Sequence, residues 1–433
     1  MPVKDLALEV SGIEALSRMN GEPEWLRAWR LEAARQFQTM EYPSFKNEEW
    51  RRTDLTHLDI SGLNLHRTAP AVGSVAELPA PLHTLARELA NLVVHRNASV
   101  VYKQVPAQGV NVYTLDEAAR AVPDLVQGYL GSVVKSNETK FTALAAAAAA
   151  PGTVIHVAKN ASVAEPLYLF QYGEGDRTGL AQQTLIVAEP YSQVQIIEYA
   201  TSPDAADVFH TQTVEVIALP GAQVTYTVVQ GWGDKTVSFA TRRALVKGDA
   251  RVDWHVADVG GGMVRVDQES RLVEPGASSY SLQVLAHDGE QQHDLGINME
   301  HYAEHTDGDI KGASVARGEC RTVLRPVGHI RLGAKGSSTF QRNNVLLLSS
   351  DARCDVMPVL LIDETDVAAG HAATAGQVDD EQLFYLMSRG ISKAEAMKML
   401  VEGFLSPVLS QMSLGGLDDE LKRLLNLRMG IHH

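Results

Sequence analysis

Leu26, Trp29, Ala33 and Phe37 recur at helical spacing and define one apolar face, so the segment that follows Glu22-Pro23-Glu24 reads as a helix. A proline at the helix start and carboxylates near the positive end of the helix dipole suit that beginning. Pro43 and the polar residues behind it should end the helix. The Pro- and Ala-rich stretch from Ala69 to Leu82 reads as loop, and Leu115 to Leu130 as a further short helix. The alanine-rich run Phe141 to Ala150 reads as a tightly packed helix, because alanine has the best helix propensity.

From Pro151 the pattern changes to short runs rich in Val, Ile, Thr and Tyr. Examples are Thr153–Val157, Leu185–Val187, Val194–Tyr199, Val214–Ala218, Val224–Val229, Arg251–Val256 and Ser281–Leu285. Turn signals separate them at Glu189-Pro190, Pro220-Gly221, Lys247-Gly248-Asp249 and Pro275-Gly276. The turns recur after roughly 28 residues, a weak internal repeat. Each unit pairs a strand before the turn with an alternating strand after it, as in Ile217 to Val224. That is the pattern of a β-solenoid, in which a coil buries its apolar face only by stacking on its neighbours. A β-sandwich is the alternative. The last part returns to helices: Asp379 with Gln382, and Ser392 with Glu395, have capping-box spacing, and Gly390 fits a helix C-terminus. Ala396, Met397, Leu400, Val401 and Phe404 form an apolar stripe, and a final helix is expected from Asp418 with Leu421, Leu424 and Leu425 inward. The expected division is a mainly helical domain over 1–150, a mainly β solenoid core over 151–370 and a helical domain over 371–433.

Composition narrows the function. Of 433 residues, 45% are hydrophobic and 21% charged, which are globular values. The formal net charge of −15 repels phosphates and anionic lipids and argues against nucleic-acid or membrane partners. Two cysteines, Cys320 and Cys354, exclude a disulfide framework and a four-cysteine iron–sulfur site within one chain. Met1 to Glu9 has no signal-type apolar run, and no stretch has the length of an uncharged membrane span, so the expectation is a soluble cytoplasmic protein.

There is no P-loop, no Gly-x-Gly-x-x-Gly opening a helix after a strand, and no Gly-x-Ser-x-Gly elbow; Gly260-Gly261-Gly262 lacks the Lys-Ser/Thr that would hold a nucleotide. His301 and His305 are four apart, but in a strand-rich region that spacing separates them, and the favoured reading is structural. His371 stands among small residues in Gly370-His371-Ala372-Ala373-Thr374, so its imidazole is accessible either as an iron ligand or as a hydrogen-bonded structural group. Asp355 beside Cys354 should raise the thiol pKa, which favours an inert cysteine, and Cys320 between Glu319 and Arg321 reads the same way. A carbohydrate lyase or hydrolase on a solenoid would need charged groups gathered on one face. Asp253, Asp258 and Arg265 are scattered candidates for such a set.

The sequence resembles the SufB/SufD family over nearly its whole length. The resemblance is carried by Glu22-Pro23-x-Trp25, Arg30, Ala33, Glu49-Trp50-Arg51, Lys140 to Leu144, Gly152-Thr153, His301-x-x-x-His305-Thr306 with Lys311-Gly312, and Gln341 with Asn343. The most specific stretch runs from Asp366-Val367 to Ile391 and holds Gly370 to Thr374, Gly376, Asp379-x-Glu381 to Leu386 and Ser388 to Ile391. The resemblance implies a right-handed parallel β-helix between two helical domains, and a non-catalytic scaffold in iron–sulfur cluster assembly. It further implies pairing of SufB with SufD through their β-helices and docking of the ATPase SufC on the C-terminal helices; whether the chain forms a homodimer when SufB is absent is open. On this chain the expected docking residues are Arg389, Gly390, Ile391, Met397, Leu400 and Phe404. His371 matches a family histidine at the SufB–SufD interface and is the candidate iron or cluster ligand. The implied cargo is iron or a transient cluster on the assembled complex, with no cofactor held tightly by the isolated chain. Two departures matter. Ala369 stands where many members carry a cysteine, and Val345 to Ser349 lacks the sulfur-accepting cysteine of SufB, which favours the SufD branch.

Overall fold

The structure is a computed structural model that describes residues 3–430. Its N-terminal part opens with α1 (Val10–Met19) and α2 (Glu24–Thr39). Leu26, Ala33 and Phe37 are buried as the spacing predicts, and Arg30 is buried with them because Glu22 pairs with it at 2.9 Å. The stretch expected as loop ends in a helix, α3 (Ala80–Ala86), with two strands behind it, β1 (Asn91–Arg96) and β2 (Ser99–Gln104). Then follow β3 (Val110–Thr114), α4 (Leu115–Ala121) and α5 (Pro123–Tyr129). The single helix expected over Leu115 to Leu130 is therefore two. Val122 leaves the helical conformation before Pro123, whose ring disfavours a helical predecessor, and Thr114 and Glu117 form a capping box at the start of α4. The alanine run is α6 (Lys140–Ala148), buried at every position. Alanine lets its backbone lie close to both α2 and the sheet beneath it.

The core is a parallel β-solenoid. Its strands are β4 (Thr153–Val157), β5 (Leu167–Tyr172), β6 (Thr178–Ala188), β7 (Gln193–Thr201), β8 (Val208–Ala218), β9 (Gln223–Gly231) and β10 (Val237–Val246). They continue with β11 (Arg251–Asp258), β12 (Met263–Leu272), β13 (Ser278–His287), β14 (Gln292–His301), β15 (Asp307–Ala316) and β16 (Arg321–Ile330). The last are β17 (Ser338–Leu347), β18 (Arg353–Val356), β19 (Val359–Ile362) and β20 (Ala368–Gln377). Successive strands alternate between two sheets, and each pairs in parallel with strands one coil away, as Val252 does with Val224 and Ser279. A sandwich is thereby excluded. Tight turns stack as the strands do: Gly221 has φ +72°, and a Cβ there would lie 2.5 Å from the Tyr191 ring in the turn one coil earlier. Between the sheets lie Ile155, Ile186, Val194, Val216, Val224, Val252 and Trp254.

Helices cover both outer faces. Trp50 and Phe141 from the N-terminal part pack on Phe209 and Phe239 of one sheet, with Phe141 and Phe239 stacked at 3.8 Å. The other sheet is covered by α8 (Lys393–Leu409) and α9 (Asp418–Arg428), through Val401, Leu405, Leu421 and Leu424 against Phe170, Tyr199, Val229 and Val284, while α7 (Asp380–Ser388) packs on α8. The solenoid continues through β20, so the expected boundary at 370/371 falls inside a strand, and the expected helical domain over 1–150 contributes β1 and β3 to the two sheets.

Candidate functional site at the open end of the solenoid

The two ends of the solenoid differ. At the first coil β2 pairs antiparallel with β1, and β3 pairs antiparallel with β4, so both sheets end there in reversed strands. At the last coil β20 pairs only with β17, and β18 and β19 only with β16; among the described residues no strand lies beyond them. Unpaired strand edges of this kind are templates for another chain. Val359, Leu361, Ile362 and Phe340 expose apolar surface at this end. The exposed strand β20 consists almost wholly of small residues, Ala368 to Gly370 and Ala372 to Gly376, so another backbone can approach it closely.

His371 is the one bulky side chain within that run. It sits opposite Gln341 of β17, its ring is exposed, and among the described residues no hydrogen bond reaches it. The structural alternative, a histidine tied to the last coil, finds no bond to rest on. Thr374 Oγ1 donates to Asn344 Oδ1 at 2.8 Å and anchors the far end of the strand.

β20 leads directly into α7, where Asp379 Oδ1 accepts from the Glu381 and Gln382 backbone N–H groups at 2.9 and 3.4 Å. Ser392 Oγ accepts from Glu395 N–H at 3.3 Å at the start of α8, and Gly390 ends α7 at φ +85°. Of the expected docking residues, Arg389 and Gly390 are exposed, while Ile391, Met397, Leu400 and Phe404 are half-buried. Arg389 lies over the Tyr385 ring at 5.0 Å and donates to its hydroxyl at 3.0 Å. Pattern reading missed the most exposed apolar side chains here, Phe384, Tyr385 and Met387 on α7. Their signal was the surplus of apolar residues over what one buried stripe needs. Met399 on α8 is exposed as well, whereas Met412 is buried against the solenoid.

The remaining candidates disperse. His301 is buried and its Nδ1 lies 2.8 Å from Thr306 Oγ1, while His305 is exposed in a turn at φ +56°, so the two do not converge. Burial pushes the Cys354 thiol up to about 12 and the Cys320 thiol up to about 11, which keeps both protonated at neutral pH. Asp253 pairs with Arg251 at 2.9 Å, Arg265 pairs with Asp294 at 2.7 Å beneath Trp50, and Asp258 is buried elsewhere. These three groups form no common face for glycoside chemistry. Among the described residues no helix is long and apolar enough to cross a membrane.

The fold is that of a parallel β-solenoid protein with helices on both outer faces and unpaired parallel strands at its last coil. Comparison with known proteins gives the family. Residues 17–169 match the SufBD protein N-terminal region, and residues 170–404 match the SufBD core domain of SUF system FeS cluster assembly. The iron–sulfur cluster assembly protein SufD of Bacillus subtilis is 30% identical over 98% of each chain. An iron–sulfur cluster assembly SufBD family protein of Staphylococcus saprophyticus is 28% identical over 96% of this chain and 92% of its own length. This chain belongs to the SufB/SufD family of iron–sulfur cluster assembly proteins.

Proposed function

We propose that this chain is a SufD-type, non-catalytic scaffold subunit that joins a SufB-type solenoid end to end and docks the ATPase SufC on its C-terminal helices. The observation that carries the reading is the open last coil, with both sheet edges unpaired and a strand of small residues around an exposed histidine. A second solenoid supplies the complementary edges. SufC docks on α7 and α8, where Phe384, Tyr385, Met387 and Met399 form an adaptable apolar surface beside Arg389. At the joint, His371 offers a neutral imidazole to iron or a nascent cluster in transit. One imidazole cannot hold a cluster, so the other ligands come from SufB. Ala369 supplies no thiol, Cys320 is buried within the solenoid, and burial raises the thiol of Cys354 on β18 as well.

The test is co-expression with SufB and SufC followed by native mass measurement. The expected product is one SufB, one copy of this chain and two SufC. Ala373→Arg puts an unpaired charge on β20 and should weaken SufB pairing about 30-fold or more while SufC docking persists. SufB pairing that survives this change undiminished would reject the end-to-end joint.

A further inference from the structure

Where β11, β13 and β14 turn from one sheet to the other, Asp258, His287 and His293 meet inside the solenoid, all fully buried. Asp258 Oδ2 lies 3.1 Å from His293 Nδ1 and 3.8 Å from His287 Nε2. The opposite nitrogen of each ring faces an acceptor. His293 Nε2 is 3.2 Å from the Gly261 carbonyl, and His287 Nδ1 is 2.7 Å from Thr322 Oγ1. A neutral imidazole has one N–H. If each ring donates outward, to the carbonyl and the hydroxyl, then two nitrogen lone pairs face one carboxylate in a water-free interior. His287 Nε2 and Asp258 Oδ1 have no hydrogen-bond partner. His287 Nε2, without a partner, faces a carboxylate that His293 Nδ1 also meets and whose second oxygen is unpartnered; such a set asks for a cation.

We propose that Asp258, His287 and His293 form a buried site for a divalent first-row transition-metal ion, bound by Asp258 carboxylate oxygen, His287 Nε2 and His293 Nδ1. Metal–nitrogen and metal–carboxylate bonds of roughly 2.0–2.2 Å set tetrahedral ligand atoms about 3.4 Å apart, between the two separations observed here. Two imidazoles and one carboxylate suit Zn²⁺ or Fe²⁺. The outward bonds to Thr322 and Gly261 are the second-shell contacts that orient metal-bound histidines. The rings now stack at 3.6 Å with their planes 21° apart, so closing on a cation turns them apart about their Cβ–Cγ bonds. Arg428 is the nearby cation, held by Asp234 at 2.6 Å and by the Val259 carbonyl at 2.8 Å. The site is separate from His371, which stands on the last coil, and its ion is held within this chain alone.

The experiment is metal analysis of the full chain, grown in defined medium with Zn²⁺ or with Fe²⁺ under anaerobic handling, then desalted. The wild type should carry about one ion per chain. Asp258→Asn combined with His293→Gln should carry none, and His371→Ala should keep the ion. Thr322→Val should lower affinity about 10–100-fold in chelator competition. Should the double variant fail to fold, wild-type protein grown with Co²⁺ decides, through the visible d–d bands of imidazole- and carboxylate-bound cobalt. Metal-free wild type without such bands, or a folded double variant that holds as much metal as wild type, overturns the site. A metal-free wild type would leave the trio as a buried hydrogen-bonded cluster, with Asp258 Oδ2 3.1 Å from His293 Nδ1.

Discussion

The His371 ring gains nothing from its own chain. Its backbone is held by strand pairing with β17, its side chain is exposed, and its flanking residues are small. His371→Ala should therefore leave the melting temperature of the chain and the assembled complex nearly unchanged, within about 0.5 kcal/mol in stability. Cluster formation on the complex should fall strongly. Full cluster assembly by a stable His371→Ala complex would refute the ligand role. A different kind of histidine governs acid stability. His95 is fully buried, with Nε2 3.1 Å from Thr153 Oγ1, and burial pulls it down to about 4; His210 is pulled to about 3. The unfolded chain protonates these groups near pH 6.5 while the folded chain does not. Their neutral burial is therefore without cost above pH 6.5, and stability is lost as pH falls from there toward 4. His95 alone should contribute a slope of up to about 1.4 kcal/mol per pH unit. Denaturation midpoints measured between pH 7 and 4 should show that slope reduced in His95→Gln; an unchanged slope would count against the assignment.

At the scale of the element, α8 has two working faces. Ala396, Val401, Leu405 and Val408 seal the outer face of one sheet, and Met399 looks away from it. Leu405→Ala removes a side chain that is 1% exposed and should cost about 2–5 kcal/mol. Met399→Glu should leave stability within about 0.5 kcal/mol yet weaken retention of SufC. Thermal melts and pull-down of the two variants separate these effects, and a Met399→Glu chain that retains SufC as wild type does would move the docking surface elsewhere. Deleting the chain from Ile391 is a poor test of docking, because it also uncovers Tyr199, Val229 and Val284 beneath α8 and α9. Loss of SufC from such a truncation would report exposure of the core as much as loss of a contact.

At the scale of the whole molecule, antiparallel edge strands at the first coil and parallel ones at the last make the solenoid directional. The last coil sets its free edges beside exposed apolar side chains and a strand of small residues, and is the end that favours a partner. In the absence of SufB we expect the chain to pair with a second copy of itself through β20, β18 and β19. Sedimentation should then find a dimer, and Ala373→Arg should shift it to monomer with an unchanged circular dichroism spectrum. A dimer that persists in that variant would place the self-contact on another face.

The repeat of apolar runs and turns was legible in the sequence because each coil solves the same burial problem, and the helix caps at Asp379 and Ser392 were legible because capping is local. The residues Gly370 to Thr374 marked His371, since accessibility follows from small neighbours. Three things lay beyond the chain's local pattern. The break at Pro123 divided one expected helix into two, and the strands β1 and β3 joined a core expected to begin at 151, because strand pairing depends on which edges are free. Met412 turned inward, and Phe384 and Tyr385 turned outward, because the face a helix buries is set by what it packs on. Asp258, His287 and His293 have no spacing that announces a site. Stacking of successive coils brings them together, and that is a property of tertiary structure alone.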